Sequence, residues 1–207
     1  FFMTTQIATD TELSAVNSIL GSIGQSPVTN ITGDALQNPE ISFIYNILSE
    51  VSKDVMQEGW HFNTEEHVTV SPDSFGYITV PNTYLRYDLH DGQSDRQMDL
   101  VKRNGRLYDL VKHTDVFTQD LSLDIVYLYA FTDIPSVFQR YIISRASTRA
   151  ATQLVTNTDL VKLLKDQEGL ARASLMEYEC NQGDVSFFGF PSGTRYRSYQ
   201  PYKALIR

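Results

Sequence analysis

Residues 12–24, ELSAVNSILGSIG, carry the stretch that decides the fold. Leu13, Val16, Leu20 and Ile23 recur at a 3-4-3 spacing, which lines one side of a helix with apolar side chains. Thr9 and Glu12 fit a capping box, in which the hydroxyl and the carboxylate satisfy free amides at the helix start. Gly24 suits the left-handed residue that closes a helix, and Pro27 prevents an immediate restart. The chain therefore opens with a short amphipathic helix that must find partners to bury its stripe.

The partners follow. Asn38-Pro39 is a helix start, with Asn as N-cap and Pro at the first helical position. Ile41, Ile44, Leu48, Val51 and Val55 then run at 3-4-3-4 spacing, close to a coiled-coil seam, and Gly59 stops the helix. A third helix is predicted from Pro135, with Phe138, Tyr141, Ile142, Ala146, Ala150 and Leu154 on one face. Its small residues (Ser144, Ala146, Ser147, Ala150, Ala151) permit close helix approach. A fourth is capped by Asn157 or Thr158, turns Leu160, Leu164, Leu170, Leu175 and Tyr178 inward, places Glu168 and Arg172 at a favourable i, i+4 spacing, and ends at Gly183.

Between the second and third helices the period changes to two. His67-Val68-Thr69-Val70 alternates, and Tyr77-Ile78-Thr79-Val80 is rich in strand formers. Leu100 to Tyr108 reads as a hairpin about Asn104-Gly105, which accept the positive φ angles of a two-residue turn. Ser122 to Ala130 reads as a long, central apolar strand. Five or six mostly antiparallel strands are expected. Together these predict an α+β fold: a four-helix bundle from residues 1–60 and 132–183, an inserted, mainly antiparallel β subdomain at 61–131, and an extended C-terminal tail at 184–207. Trp60 is expected to seal the helix-to-strand junction as a core aromatic.

Composition excludes several classes. The 207 residues are 42% hydrophobic and 20% charged, which is globular rather than disordered. Cys180 is the single cysteine, so no internal disulfide can form, and its default role is a small buried hydrophobe. No apolar run approaches a membrane span, and residues 1–30 do not read as a secretory signal. Residues 184–207 hold Arg195, Arg197, Lys203 and Arg207 against Asp184 alone, a net +3, which leaves −11 on the rest of a chain whose total is −8. An acidic body argues against gripping nucleic-acid phosphates, and no compact three-helix reader stands apart, so a sequence-specific DNA-binding regulator is disfavoured.

Catalytic and metal-binding patterns are absent. His61 and His67 flank Glu65 and Glu66, but not at the spacing that puts two imidazoles on one helical face. His90, with Asp88 and Asp91, reads as a solvated turn, and His113 as a hairpin end. There is no Gly-x-Ser-x-Gly elbow and no phosphate loop. Glu177 and Glu179, two apart, cannot share a helical face. No catalytic residue, metal ligand or cofactor is assigned. Interaction candidates are clearer. Phe187, Phe188, Phe190, Tyr196, Tyr199 and Tyr202 alternate with Arg195 and Arg197 in the tail, a composition typical of protein interfaces. Arg140, Arg145 and Arg149 form a basic line on the third helix, read either as a solvated face offsetting the acidic body or as an inter-subunit contact.

Several blocks resemble one family. The opening helix, Gly59-Trp60-His61-Phe62-Asn63 with Glu65, Ile134-Pro135 leading to Tyr141-Ile142-Ile143 and Ala146-Ser147, and Ala171-Arg172 with Met176-Glu177-Tyr178-Glu179 are similar, in this order, to tail tubular protein A of short-tailed podoviruses. The resemblance spans about residues 11–180. It implies a non-enzymatic virion protein, a homo-dodecameric ring between the portal and the nozzle (tubular protein B), with the tail fibre as a further neighbour and genomic DNA passing through without sequence-specific binding. Twelve copies would carry about −96, repulsive to DNA. The alternative is a tail-associated hydrolase acting on host envelope polysaccharide.

Overall fold

The computed structural model describes residues 11–31, 38–90, 98–155 and 157–182. Four helices and five strands follow one another: α1 (Glu12–Ser22), α2 (Pro39–Gln57), β1 (Thr64–Val70), β2 (Tyr84–Leu89), β3 (Leu100–Arg103), β4 (Arg106–Asp109), β5 (Leu121–Tyr127), α3 (Ser136–Leu154) and α4 (Thr158–Gln182). The fold is mixed α+β, with every strand pairing antiparallel.

Helix α1 starts later than Thr9 and Glu12 suggest. Thr11 is the N-cap, in extended conformation, and its hydroxyl accepts from Ser14 N at 3.2 Å. Glu12 thus becomes the first helical residue, and its carboxylate accepts from the Tyr45 hydroxyl of α2 at 3.2 Å; Thr9 lies outside the described residues. The predicted C-terminus is observed. Gly24 has φ +81, Gln25 N donates to Leu20 O and Gly24 N to Gly21 O, the paired bonds of a Schellman motif. The Asn17 side chain bonds both backbone groups of Val28 (2.8 and 3.0 Å) and pins the chain that leaves the helix. The buried strip is Ala15, Val16, Ile19 and Leu20, with Leu13 and Ile23 half-buried at its edges.

Helix α2 follows its sequence closely. Asn38 Oδ1 accepts from Glu40 N, Pro39 is the first helical residue, and Ile41, Ile44, Leu48, Val51 and Val55 are all buried. Helix α3 packs against α1, α2 and α4. Its Phe138, Ile142, Ala146 and Ala150 are fully buried, and the small residues let neighbours approach. Leu154 is exposed, against expectation. On α4, capped by Asn157, Leu164, Ala171 and Leu175 are buried but Leu170 is 72% exposed. The reason is geometric: α4 packs chiefly along α3, so one narrow seam is covered and the flank carrying Leu163 and Leu170 is left to solvent. Cys180 is exposed as well, not a buried hydrophobe. Arg172 pairs with Glu58 of the α2 C-cap rather than with Glu168. Gly183 lies outside the described residues.

In the β half, β5 is the middle strand of a three-stranded sheet of order β1-β5-β2, and β3-β4 is a separate hairpin whose Asn104 and Gly105 both have positive φ. Strand β5 ends at Tyr127, three residues short of Ala130, where Leu128 N turns away to Thr83 O. Tyr77–Val80 does not form a strand. Thr79 makes one bridge to Arg106, with Val80 N bonding Gly105 O and Leu107 N bonding Ile78 O, before Pro81 interrupts. Ile78 and Val80 are nonetheless buried.

Two apolar cores result. One gathers Val16, Ile44, Val51, Trp60, Phe138 and Ile142 among the helices, and the other gathers Ile78, Leu107, Phe117, Leu121, Leu123 and Ile125 under the sheet and hairpin. Helix α2 touches β2 and β5, and so joins the two halves.

Candidate functional site

The joint between the halves is built by Gly59–Asn63. Gly59, at φ +80, ends the chain's run as helix. Trp60 turns inward: its indole Nε1 donates to Val55 O at 2.6 Å, and its ring meets Phe138 edge-on at 5.2 Å. Phe62 packs tilted against Phe138 at 4.6 Å. Asn63 is completely buried and spends its whole amide. Oδ1 accepts from Trp60 N (2.8 Å), while Nδ2 donates to Met56 O and to Tyr127 O (2.9 Å each). One side chain thus ties the end of α2 to the end of β5. Burial raises the Tyr127 phenol to about 12, with the neighbouring Tyr84 and the Glu65 carboxylate adding to the shift.

Above this joint lies a charge ladder. Glu50, Asp54 and Glu58 recur at four-residue intervals along and just beyond α2. Arg149 reaches Glu50 (2.6 Å) and Asp54 (3.8 Å), and Arg145 reaches Glu58 (3.6 Å). Arg172 forks onto Glu58 from α4 and lies over the Trp60 and Tyr141 rings at 5.1 and 5.2 Å. Hydrogen bonding to Glu58 raises the Arg172 guanidinium above its ordinary value, although burial works against it. The basic line is therefore divided. Arg145 and Arg149 pair within the chain, and Arg140 is exposed. The tail candidates Phe187, Phe188, Phe190, Arg195, Tyr196, Arg197, Tyr199 and Tyr202 lie outside the described residues.

Two features escaped the sequence reading. The first is a cleft of about 140 Å³ at the joint, walled by Leu48, Met56, Leu128 and Phe131, with Tyr45, Ser49 and Lys53 also lining it. Ser52 Oγ, buried on its α2 side, has no hydrogen-bond partner. The second is a histidine stack. His67, at a bulge in β1 with φ +60, lies with its ring centroid 3.4 Å from that of His90, whose Nδ1 is 3.0 Å from Asp124 Oδ1. His61 and His67 do not converge on a metal: among the described residues no group of three His, Cys, Asp or Glu side chains is placed to hold one. No helix among them is long and apolar enough to cross a membrane.

Comparison with known proteins supplies the family. The sequence model of the Tube family, tail tubular protein, matches residues 13–185 and so covers the helices and the β insertion alike. Tail tubular protein A of Klebsiella phage KP34 is 32% identical over 124 residues, which are 60% of this chain and 62% of that relative's length. The blocks that carry the resemblance now have structural reasons, since Gly59, Trp60 and Asn63 build the joint and Arg172 clamps it. The chain belongs to the tail tubular protein family and is a structural component of a podovirus tail.

Proposed function

We propose that the protein is a head-to-tail connector, twelve copies of which form a ring between the portal and the tubular nozzle protein. In this reading the helical unit (1–60 and 132–183) and the tail (184–207) dock on the portal. The β unit (61–131) faces the nozzle, and genomic DNA passes through the ring during ejection. The observation that carries it is the family match, which runs unbroken through both halves of the chain. The net charge of −8 supports a conduit that does not grip DNA, because phosphate binding requires a basic surface. The pairing of Arg145 and Arg149 within the chain removes two cations from those available to DNA. The aromatic and basic tail residues, from Phe187 to Tyr202, and the exposed Arg140 are the contacts assigned to the portal or to a neighbouring subunit.

Mass photometry of the purified chain, alone and mixed with the portal protein of the same virus, tests this. At 23.5 kDa per chain, loading of about twelve copies adds about 280 kDa to the portal. A chain that stays monomeric and ignores the portal overturns the connector reading.

A further inference from the structure

The outer face of the β3–β4 hairpin carries a like-charged pair. Arg103 and Arg106 are the register partners that close the hairpin, one on each side of the Asn104-Gly105 turn. Residues directly opposite on an antiparallel pair share a face, and like charges so placed destabilise it. Leu107, on the other face, is fully buried, so the two arginines are the ones turned to water. Each guanidinium is nevertheless held in place. Arg103 lies over the Tyr108 ring at 4.1 Å, and Arg106 over the Tyr77 ring at 3.9 Å. Compensating charge is thin. Arg106 meets Asp115 at 3.8 Å, with side chains 45% and 43% exposed, and among the described residues no carboxylate pairs with Arg103. The hairpin's own stability does not call for this arrangement, because one arginine would avoid the repulsion.

An exposed apolar edge adjoins the pair. Tyr77, beneath Arg106, follows the turn that carries Phe75, and Phe75 is 75% exposed. Asp73 Oδ1 accepts from Phe75 N (2.9 Å) and Tyr77 N (2.8 Å), which fixes the backbone of that turn. Gly76 is pressed against Val116, so closely that a Cβ there would lie 2.7 Å from Val116 Cγ1. Val116 is itself exposed, and its neighbour Asp115 is the residue that reaches Arg106. Three chain segments thus bring arginine, phenylalanine and tyrosine, residues enriched at protein interfaces, to one surface of the β half.

We infer that this surface docks an acidic segment of a partner protein, with carboxylates on Arg103 and Arg106 and apolar side chains on Phe75 and Val116. A carboxylate accepts a fork of two N–H bonds from a guanidinium, and its charge relieves the repulsion between the arginines. Duplex DNA fits less well. Its charge extends far beyond the hairpin and meets the field of a chain at −8. Screening over about 10 Å leaves a short acidic segment facing the arginines alone. A phosphate backbone also leaves Phe75 and Val116 without a partner. The surface belongs to the half of the chain that the connector reading turns towards the nozzle. The inference therefore rests on that reading and assigns the nozzle protein as the partner, through an acidic face.

Stepwise assembly tests it. Full-length Arg103→Gln, Arg106→Gln and Phe75→Ala proteins are loaded on the portal, and the nozzle protein of the same virus is then added and its binding followed by mass photometry. Portal loading and melting curves are expected to stay those of the parent, since the three side chains are exposed. Nozzle affinity is expected to fall at least about tenfold in each variant. Raising the ionic strength from about 0.1 to about 1 M should weaken nozzle binding by the parent more than by the double arginine variant. Nozzle binding at parent strength in both arginine variants overturns the inference and leaves the connector reading intact. Portal loading or ring formation lost in Arg103→Gln before the nozzle is added also overturns it, because the pair then serves the portal or a neighbouring copy. So does duplex DNA that the parent binds and Arg103→Gln releases while nozzle affinity is unchanged, which makes the pair a phosphate contact. A parent chain that ignores portal and nozzle alike removes the connector reading itself, and this inference with it.

Discussion

Arg172 on α4 forks onto Glu58 at the end of α2, with Nη2 2.7 Å from Oε2 and Nη1 3.1 Å from Oε1. The two residues are 114 apart in sequence and each is about one-third exposed. The pair clamps the last helix to the joint, over the Trp60 and Tyr141 rings. Solvent screening limits its electrostatic worth, but the forked geometry and ring contacts add to it. Arg172→Ala is expected to cost about 1–2 kcal/mol, and Arg172→Lys to recover less than half, because an ammonium cannot fork. A double-mutant cycle with Glu58→Gln, followed by urea unfolding, should give a coupling of about 1 kcal/mol.

Asn63 is the more sensitive position. Asn63→Ala removes two donors and one acceptor from a fully buried site, so Trp60 N loses its acceptor and Tyr127 O a donor, while Met56 O keeps Gly59 N. Unpaired buried polar groups carry the full desolvation cost, so a loss of about 2–4 kcal/mol is expected. Asn63→Asp should do no better, since the carboxylate keeps the acceptor and loses both donors. Trp60 is the single tryptophan, so its fluorescence follows the unfolding directly.

Alkaline stability depends on Tyr127. Its phenol is raised to about 12 in the folded chain, against 10.0 for the free group. A raised value means that the folded state holds the proton more tightly. The resulting stabilisation is complete below pH 10 and is lost as pH climbs towards 12. Tyr127→Phe is expected to flatten the fall in stability across that window without abolishing it, because Tyr45, Tyr87 and Tyr129 are raised too. Urea midpoints between pH 9 and 12 provide the check.

Deleting residues 184–207 is expected to leave the unfolding midpoint of the remaining chain in place while portal loading falls. A truncated protein that unfolds instead would assign those aromatic residues to the chain's own core. Circular dichroism melts and mass photometry on the same sample separate the two outcomes.

Cys180 stands exposed on the last turns of α4. One thiol per chain should react with a maleimide in native buffer, at a rate unchanged by denaturant to within a few-fold, since no unfolding is needed to reach it.

The sequence was most legible where local chemistry and periodicity agree. Asn38-Pro39 and the Ile41-to-Val55 seam specify α2 down to its cap, and Asn104-Gly105 specifies the hairpin turn. Periodicity fails where the number of neighbours decides. Leu154 and Leu170 lie at core-like spacings, but Leu154 is the last residue of α3 and Leu170 lies off the buried seam of α4, so both are exposed. It also fails for Asn63, because a polar residue reveals nothing of its burial until three backbone groups converge on it, one of them, Tyr127 O, 64 residues away. The arginine line was visible, but the acidic partners of Arg145 and Arg149 lie on and beside α2 of the same chain. Glu50, Asp54 and Glu58 repeat every four residues, as Arg145 and Arg149 do, and matching those periods would have predicted the ladder. Phe75 carried a signal as well: Asp73-Ser74-Phe75-Gly76 has the composition of a turn, and a Phe within a turn is a ring without a core.

The chain leaves the helical half at Asn63 and comes back after Tyr127, and these two residues are bonded to each other through Nδ2 and the Tyr127 carbonyl. Thr64 is paired with Val126 directly beyond. The exit and the return therefore form a closed gate with one fixed width. Loops strung between the two posts, away from the strands that touch α2, can be lengthened or trimmed without asking the helices to move. Such a gate lets the loops of the β segment vary in length while the helical frame stays as it is.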